Sequence, residues 1–297
     1  MLYTQTPMES TVQSIVAFVT PWEFSPTVLV CCALALAIYV SGLRAAHAEG
    51  LDINPWRPIA FVLGLVAVYV FLQTYLDYLS QHMFWVHRLQ HLVLHHAGPF
   101  LIALSAPGEI MRRGTPSWVR SWLIRPLWGN PVTRTVYRII QNPIVASVLF
   151  VGLIGFWLLP WIHFTAMLSL ERYDAMNWSM VIDGLLFWWL IVGPERQTTL
   201  KPLGHGTRII MLWAIMLPQI AIGAYIALCD HILYDVYSVC GRAWPLSPMT
   251  DQELGGLITW IPGAMMSVIA GLVVLRRWVY DRRTEPPRPS AAAALVE

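Results

Sequence analysis

The sequence predicts an all-α integral membrane protein, a seven-helix transmembrane bundle. Two observations lead there. The 297-residue chain is 57% hydrophobic and only 12% charged, where a soluble domain carries about 25% charged residues. A single core cannot hide that much apolar surface, so a bilayer has to solvate it. The second observation is the placement of charge: Arg and Lys collect in every second gap between the apolar stretches, as expected of a multi-pass protein.

A spanning helix needs about 20 mostly apolar residues, and such stretches fall at 26–44, 58–78, 80–105, 143–164, 177–194, 207–229 and 255–276. The first follows a segment with Glu9, Glu23 and two prolines. No basic start or small-residue cleavage site marks a secretory signal there, so this stretch reads as a retained span. Its Cys31 and Cys32 read as small packing residues. The third stretch is irregular because it carries charged and titratable groups, and the fifth is short. Pro143 opens the fourth, Pro262 lies in the seventh, and Pro218 should kink the sixth unless neighbours satisfy the freed carbonyl.

The gap after the first stretch holds Arg44 and Arg57. The gap after the third holds Arg112, Arg113, Arg120, Arg125, Arg134 and Arg138. The gap after the fifth holds Arg196, Lys201 and Arg208, and the tail holds Arg276, Arg277, Arg282, Arg283 and Arg288. The opposite side has only Arg172 and Arg242, set among Glu171, Asp174, Asp230, Asp235, Asp251 and Glu253. The positive-inside rule then places the N-terminus outside and the C-terminus in the cytoplasm. Residues 1–280 form one membrane domain. Within it, the basic, Trp-containing segment at about 107–142 reads as an interfacial segment on the inner leaflet. Residues 281–297, rich in Pro and Ala, read as a disordered cytoplasmic tail.

The chemistry concentrates in the third stretch, which contains His82, His87, His91, His95 and His96. At 100° per residue, His87, His91 and His95 share a stripe about 80° wide. The spacing His-x-x-x-His lets two imidazoles of one helix bind one metal ion. Imidazole suits copper, zinc and haem iron alike, so a copper ion and haem both stand as candidates. The plain reading is that these are polar groups in packed helix contacts. Ionisable groups inside a membrane are costly, however, and usually mark a pathway or cofactor.

The topology offers partners on the same leaflet: His163 ends the fourth span, Asp183 lies in the outer half of the fifth, and Cys229, Asp230 and His231 end the sixth. The expected metal ligands are therefore His87, His91, His163, Asp183 and His231. Met83 adds a soft thioether, which favours Cu(I). Arg88 opposes a bound cation unless a carboxylate such as Asp77 or Asp183 balances it. Cys229 and Cys240 fall on the same side, where a disulfide, inert thiols or Cu(I) binding are all open. No nucleophile elbow, phosphate loop, dinucleotide fingerprint or Cys-x-x-Cys occurs, so the chain reads as a non-enzyme, and nothing suggests nucleic acid.

A set of ordered motifs resembles the CtaG family of membrane-embedded cytochrome c oxidase assembly factors. Trp22-Glu23-Phe24-Ser25-Pro26 leads into the first span, which contains Tyr39-Val40-Ser41-Gly42. His87 and His91 are followed by Ala97-Gly98-Pro99-Phe100-Leu101 and Ala106-Pro107. Asn142-Pro143 and Gly184-Leu185-Leu186-Phe187-Trp188-Trp189 come next, then Asp251-Gln252-Glu253-Leu254-Gly255-Gly256-Leu257 and Trp260-Ile261-Pro262-Gly263. The resemblance implies a role in maturing a haem–copper oxidase through copper supply to its catalytic centre. It implies oxidase subunits or other copper-delivery proteins as partners, and the bacterial inner membrane as location. It singles out His87 and His91. This chain departs from the family where Leu158, Tyr173, Asn177 and Thr259 stand in place of the family's histidines and methionine. Two other readings stand beside the assembly factor: a haem-carrying redox subunit, with Arg88 on a propionate, and a structural subunit of a respiratory complex.

Overall fold

Proline and polar caps punctuate an otherwise uninterrupted helical chain. The computed structural model describes residues 16, 18, 20, 23–194 and 203–284. The expected disordered tail lies outside the described residues from 285 onward, as do Trp22, Arg196 and Lys201. Helices account for the fold, and no strand occurs among the described residues.

α1 (Pro26–Ala48) starts at a proline, whose missing N–H costs nothing in a first turn, and α2 spans Trp56–Gln73. At Thr74 the backbone turns extended, and its hydroxyl caps α3 (Tyr75–His82) by accepting from the Leu76 N–H. Met83 breaks the chain again before α4 (Phe84–Leu92), which continues without interruption through a π-turn (Val93–Ala97) into α5 (Gly98–Leu104). This third path is about 30 Å long at roughly 1.5 Å per residue, enough for one crossing.

The π-turn has a local cause. Pro99 has no N–H to give to the His95 carbonyl one turn back. Gly98 N–H instead reaches Val93 O, and the freed His95 carbonyl accepts from the Trp188 indole at 3.0 Å. The neighbouring helix can approach because it presents Gly184, where a Cβ would lie 2.5 Å from His95 O.

The basic segment forms α6 (Gly108–Gly114), α7 (Ser117–Val119), a second π-turn, α8 (Arg125–Gly129) and α9 (Pro131–Ile140). Val132, Val136 and Ile139 line one exposed face of α9 at helical spacing. Trp118 and Trp122 are exposed as well. α6 packs on α1, where Glu109 bonds Arg112 at 2.7 Å and Arg113 also pairs with Glu49. Asn142 caps α10 (Pro143–Trp157), which bends 71° away from α9. The fourth expected span is broken: Leu159 is extended ahead of Pro160, which disfavours the helical region there, and α11 (Pro160–Met167) follows.

α12 (Leu170–Val192) begins seven residues earlier than the apolar stretch, because its polar first turns are helical too. α13 (His205–Leu228) contains Pro218, and a short α14 (Val236–Val239) follows. α15 (Pro248–Thr284) has 37 residues, far more than the hydrocarbon layer needs, so its polar ends project beyond it. It packs along α13 and α4. Among the described residues five helices (α1, α2, α12, α13 and α15) are each long and apolar enough to cross a membrane, or up to six if the bent pair α9–α10 counts as one span.

Candidate metal centre

The site begins with how α4 is held. A helix N-terminus leaves four backbone N–H groups without partners, and Met83 caps none of them. Asp251, at the start of α15, supplies the cap from outside. Its two carboxylate oxygens accept from Phe84 N at 3.0 Å and Trp85 N at 2.9 Å, and Arg242 pairs with it as well. Gly255, one turn along α15, has no room for a Cβ: Phe84 would lie 2.3 Å away. The motif Asp251-Gln252-Glu253-Leu254-Gly255 thus fixes the register of the helix carrying His87 and His91.

His87 and His91 face each other one turn apart, with ring centroids 4.3 Å apart. Both are buried, and all four ring nitrogens lack a hydrogen-bond partner. The Ser80 carbonyl approaches His87 and the Asn177 side chain approaches His91, neither in hydrogen-bonding geometry. Buried polar atoms are normally paired, and leaving one unpaired costs roughly 1–3 kcal/mol. Each neutral imidazole has one lone-pair nitrogen, so two adjacent rings one helical turn apart can offer one nitrogen apiece to a single ion.

His163, on α11, is the third member of this group, its ring centroid 5.1 Å from that of His87. Its nitrogens are both engaged. Nδ1–H donates to the Trp157 carbonyl at 3.1 Å, and Nε2 accepts from the Tyr237 hydroxyl at 2.9 Å. His163 ligates only if the Tyr237 bond opens. Tyr237 and Tyr234, which stacks on Phe84 with centroids 4.1 Å apart, roof the group from the loop after α13.

The other expected ligands lie elsewhere. Asp183 sits 2.9 Å from Nε2 of His95, two turns along from His87. His231 is exposed, beside Cys229 and Asp230. Both Cys229 and Cys240 are free thiols. Asp77 is held by Tyr173 at 2.7 Å and Gln90 at 2.8 Å, so neither Asp77 nor Asp183 reaches Arg88. Arg88 is buried, with Nε and Nη1 unpartnered. It borders a cavity of about 10 Å³ that His91, His96, Gln219 and Thr259 also line, room for about one water molecule.

Tyr173, Asn177, Tyr237 and Gln90 are the residues that sequence spacing alone does not assign to this centre. Tyr173 and Asn177 share one face of α12, at i and i+4, and the signal for them was the resemblance, which set both at positions where the family has histidines.

The chain matches, over residues 37–281, the family described as cytochrome c oxidase caa3 assembly factor. It belongs to that family. The matched region takes in the helices described above except the first turns of α1 and the last residues of α15, and the whole of the His87–His91 site. An uncharacterized protein of Mycobacterium leprae is 26% identical to this caa3 assembly-factor family member over 287 residues, which is 89% of this chain and 40% of that protein. An uncharacterized protein of Mycobacterium tuberculosis is 27% identical over 289 residues, 91% of this chain and 41% of that protein. The chain therefore spans about two fifths of the length of these relatives. No solved structure matches it.

Proposed function

We propose that this family member assists assembly of a haem–copper cytochrome c oxidase by holding copper at His87 and His91. The site lies near the outer face of a seven-span protein in the bacterial inner membrane, with the C-terminus in the cytoplasm. The observation that carries this reading is the buried pair of imidazoles with four unpartnered nitrogens. Neutral imidazole is a good copper ligand, and no proton need leave it on binding.

Arg88 gives the site the character of a carrier. It is a permanent cation next to His87 with no carboxylate partner among the described residues, so it weakens retention of a copper ion and favours hand-over. The seven-span reading takes α4 to α5 as the third crossing and α10 with α11 as the fourth, and the basic segment between them then faces the cytoplasm.

The cavity beside His91 and Arg88 supports copper over haem, since about 10 Å³ is far below the several hundred needed by a macrocycle. Metal content and an absorption spectrum of the detergent-purified chain test the reading. Wild-type protein should retain copper and show no Soret band. The His87→Ala/His91→Ala double variant should lose that copper while keeping its helical content. Unchanged copper content in the double variant, or a Soret band, sinks it.

A further inference from the structure

The geometry points to a second metal site, at the surface, formed by Cys229 and His231 with Asp230 and suited to a thiophilic ion, Cu(I). It rests on the reading above for the identity of the metal, and it adds a station at which copper enters. Among the described residues this is the one group of three His, Cys, Asp or Glu side chains whose ligand atoms all lie within 4.8 Å of one another.

The arrangement within the group is that of a binding site. Asp230 Oδ1 lies 3.0 Å from Nδ1 of His231, so the carboxylate accepts a hydrogen bond from Nδ1–H, which holds the tautomer whose lone pair is on Nε2. Cys229 Sγ lies 3.3 Å from Nδ1 and 3.6 Å from that Nε2. Metal–sulfur and metal–nitrogen bonds of zinc-like length at a tetrahedral angle separate the two donors by about 3.5 Å. Thiolate with imidazole selects copper(I) or zinc over calcium and magnesium. The thiol is free, and the His231 and Asp230 side chains are 64% and 98% exposed, so an ion arriving from water can reach them.

The loop that carries these donors is anchored from below. Buried Gln252 on α15 donates to the His231 carbonyl at 3.0 Å and accepts from Leu233 N at 2.6 Å. The same connection then supplies Tyr234 and, on α14, Tyr237, whose rings lie against His163 and His87. The surface donors and the roof of the buried pair are thus carried by one continuous connection between α13 and α15.

Binding exchanges the Cys229 S–H proton, released to water, for an S–Cu(I) bond. Transfer breaks that bond as an imidazole nitrogen of His87 or His91 binds copper, and the thiolate takes up a proton again. Copper stays Cu(I) throughout.

The test uses full-length protein in detergent, titrated anaerobically with Cu(I) against a chromogenic chelator. X-ray absorption at the copper edge then reads the ligands. Wild type should bind two Cu(I), one with a sulfur neighbour. Cys229→Ser and His231→Ala should each remove one equivalent and the sulfur signal, and Cys240→Ser should remove neither. His87→Ala/His91→Ala should keep the sulfur-ligated ion. Sulfur-ligated copper that survives Cys229→Ser, or binding of Zn(II) but not Cu(I) at this loop, overturns the proposal. If Cys229→Ser changes nothing while the double histidine variant loses copper, the surface site fails and the buried site stands. The reverse pattern separates them the other way.

Discussion

Arg88 is a cation buried in the bundle without a counter-charge among the described residues, and that asymmetry has a measurable consequence. Two like charges near a protein surface repel by a few kcal/mol at an effective dielectric near 20. Replacing Arg88 with Met keeps the packing volume and removes the repulsion, so the variant should bind Cu(I) about tenfold or more tightly in the chelator competition. Weaker binding would instead make Arg88 part of the ligand-holding network. Asp251 is the other residue on which the site depends. It caps α4 through two backbone N–H groups and pairs with Arg242. Truncation leaves those donors buried and unpaired, and charge-assisted bonds of this kind are worth roughly 1.5–3 kcal/mol each. Asp251→Ala should therefore lower the thermal midpoint in detergent by several degrees. Asp251→Asn, which keeps an acceptor, should fall between wild type and Ala.

The elements show why some of the fold could be read in the sequence and some could not. Apolar runs and proline positions place α1, α2 and α13 closely, because both signals are local. The early start of α12 and the 37-residue α15 escape a hydropathy reading, since their polar turns are helical without being apolar. The π-turn was not read from the sequence: Pro99 removes a hydrogen bond locally, but Trp188, which takes up the freed carbonyl, lies 93 residues away. Here Gly184→Ala forces a Cβ to 2.5 Å from His95 O. It should push α12 away from the π-turn, lower stability by about 1–3 kcal/mol, and weaken the His95–Asp183 pair. Thermal unfolding of the variant in detergent checks it. The His87–His91 pairing was legible from spacing within one helix. The destinations of Asp183 and His231 were not, because leaflet depth alone does not fix which helix faces meet.

On the basic segment, Arg112 beside Glu109 holds its carboxyl below the ordinary 4.5, with Arg113 adding to the effect. A depressed folded-state value means that this contribution is present above that ordinary pH and is lost as pH falls below it. Acidification from pH 6 to pH 3 should thus destabilise wild type slightly more than Glu109→Gln. High salt should erase the difference, because the group is exposed.

At the scale of the whole molecule, the charge asymmetry, the histidine site and the surface cysteine all depend on how many times the chain crosses. Among the described residues five helices are long and apolar enough to cross, and the two interrupted paths, α4 to α5 and α10 to α11, decide the rest. If both cross, Asp52, Ser117 and Arg282 face the cytoplasm, while Leu168 and Asp230 face outward. All five positions are exposed. Single cysteines placed there, in a chain whose Cys31, Cys32, Cys229 and Cys240 are replaced by serine, should divide by side. A membrane-impermeant maleimide should label positions 168 and 230 in intact spheroplasts, and positions 52, 117 and 282 only after the membrane is opened. Position 117 discriminates most: if α4 to α5 does not cross, the basic segment stays outside and Ser117→Cys labels in intact cells. Position 168 does the same for α10 with α11. Labelling of 117 with 230 from one side would remove the seven-span arrangement, and would also move six arginines to the face where the positive-inside rule disfavours them.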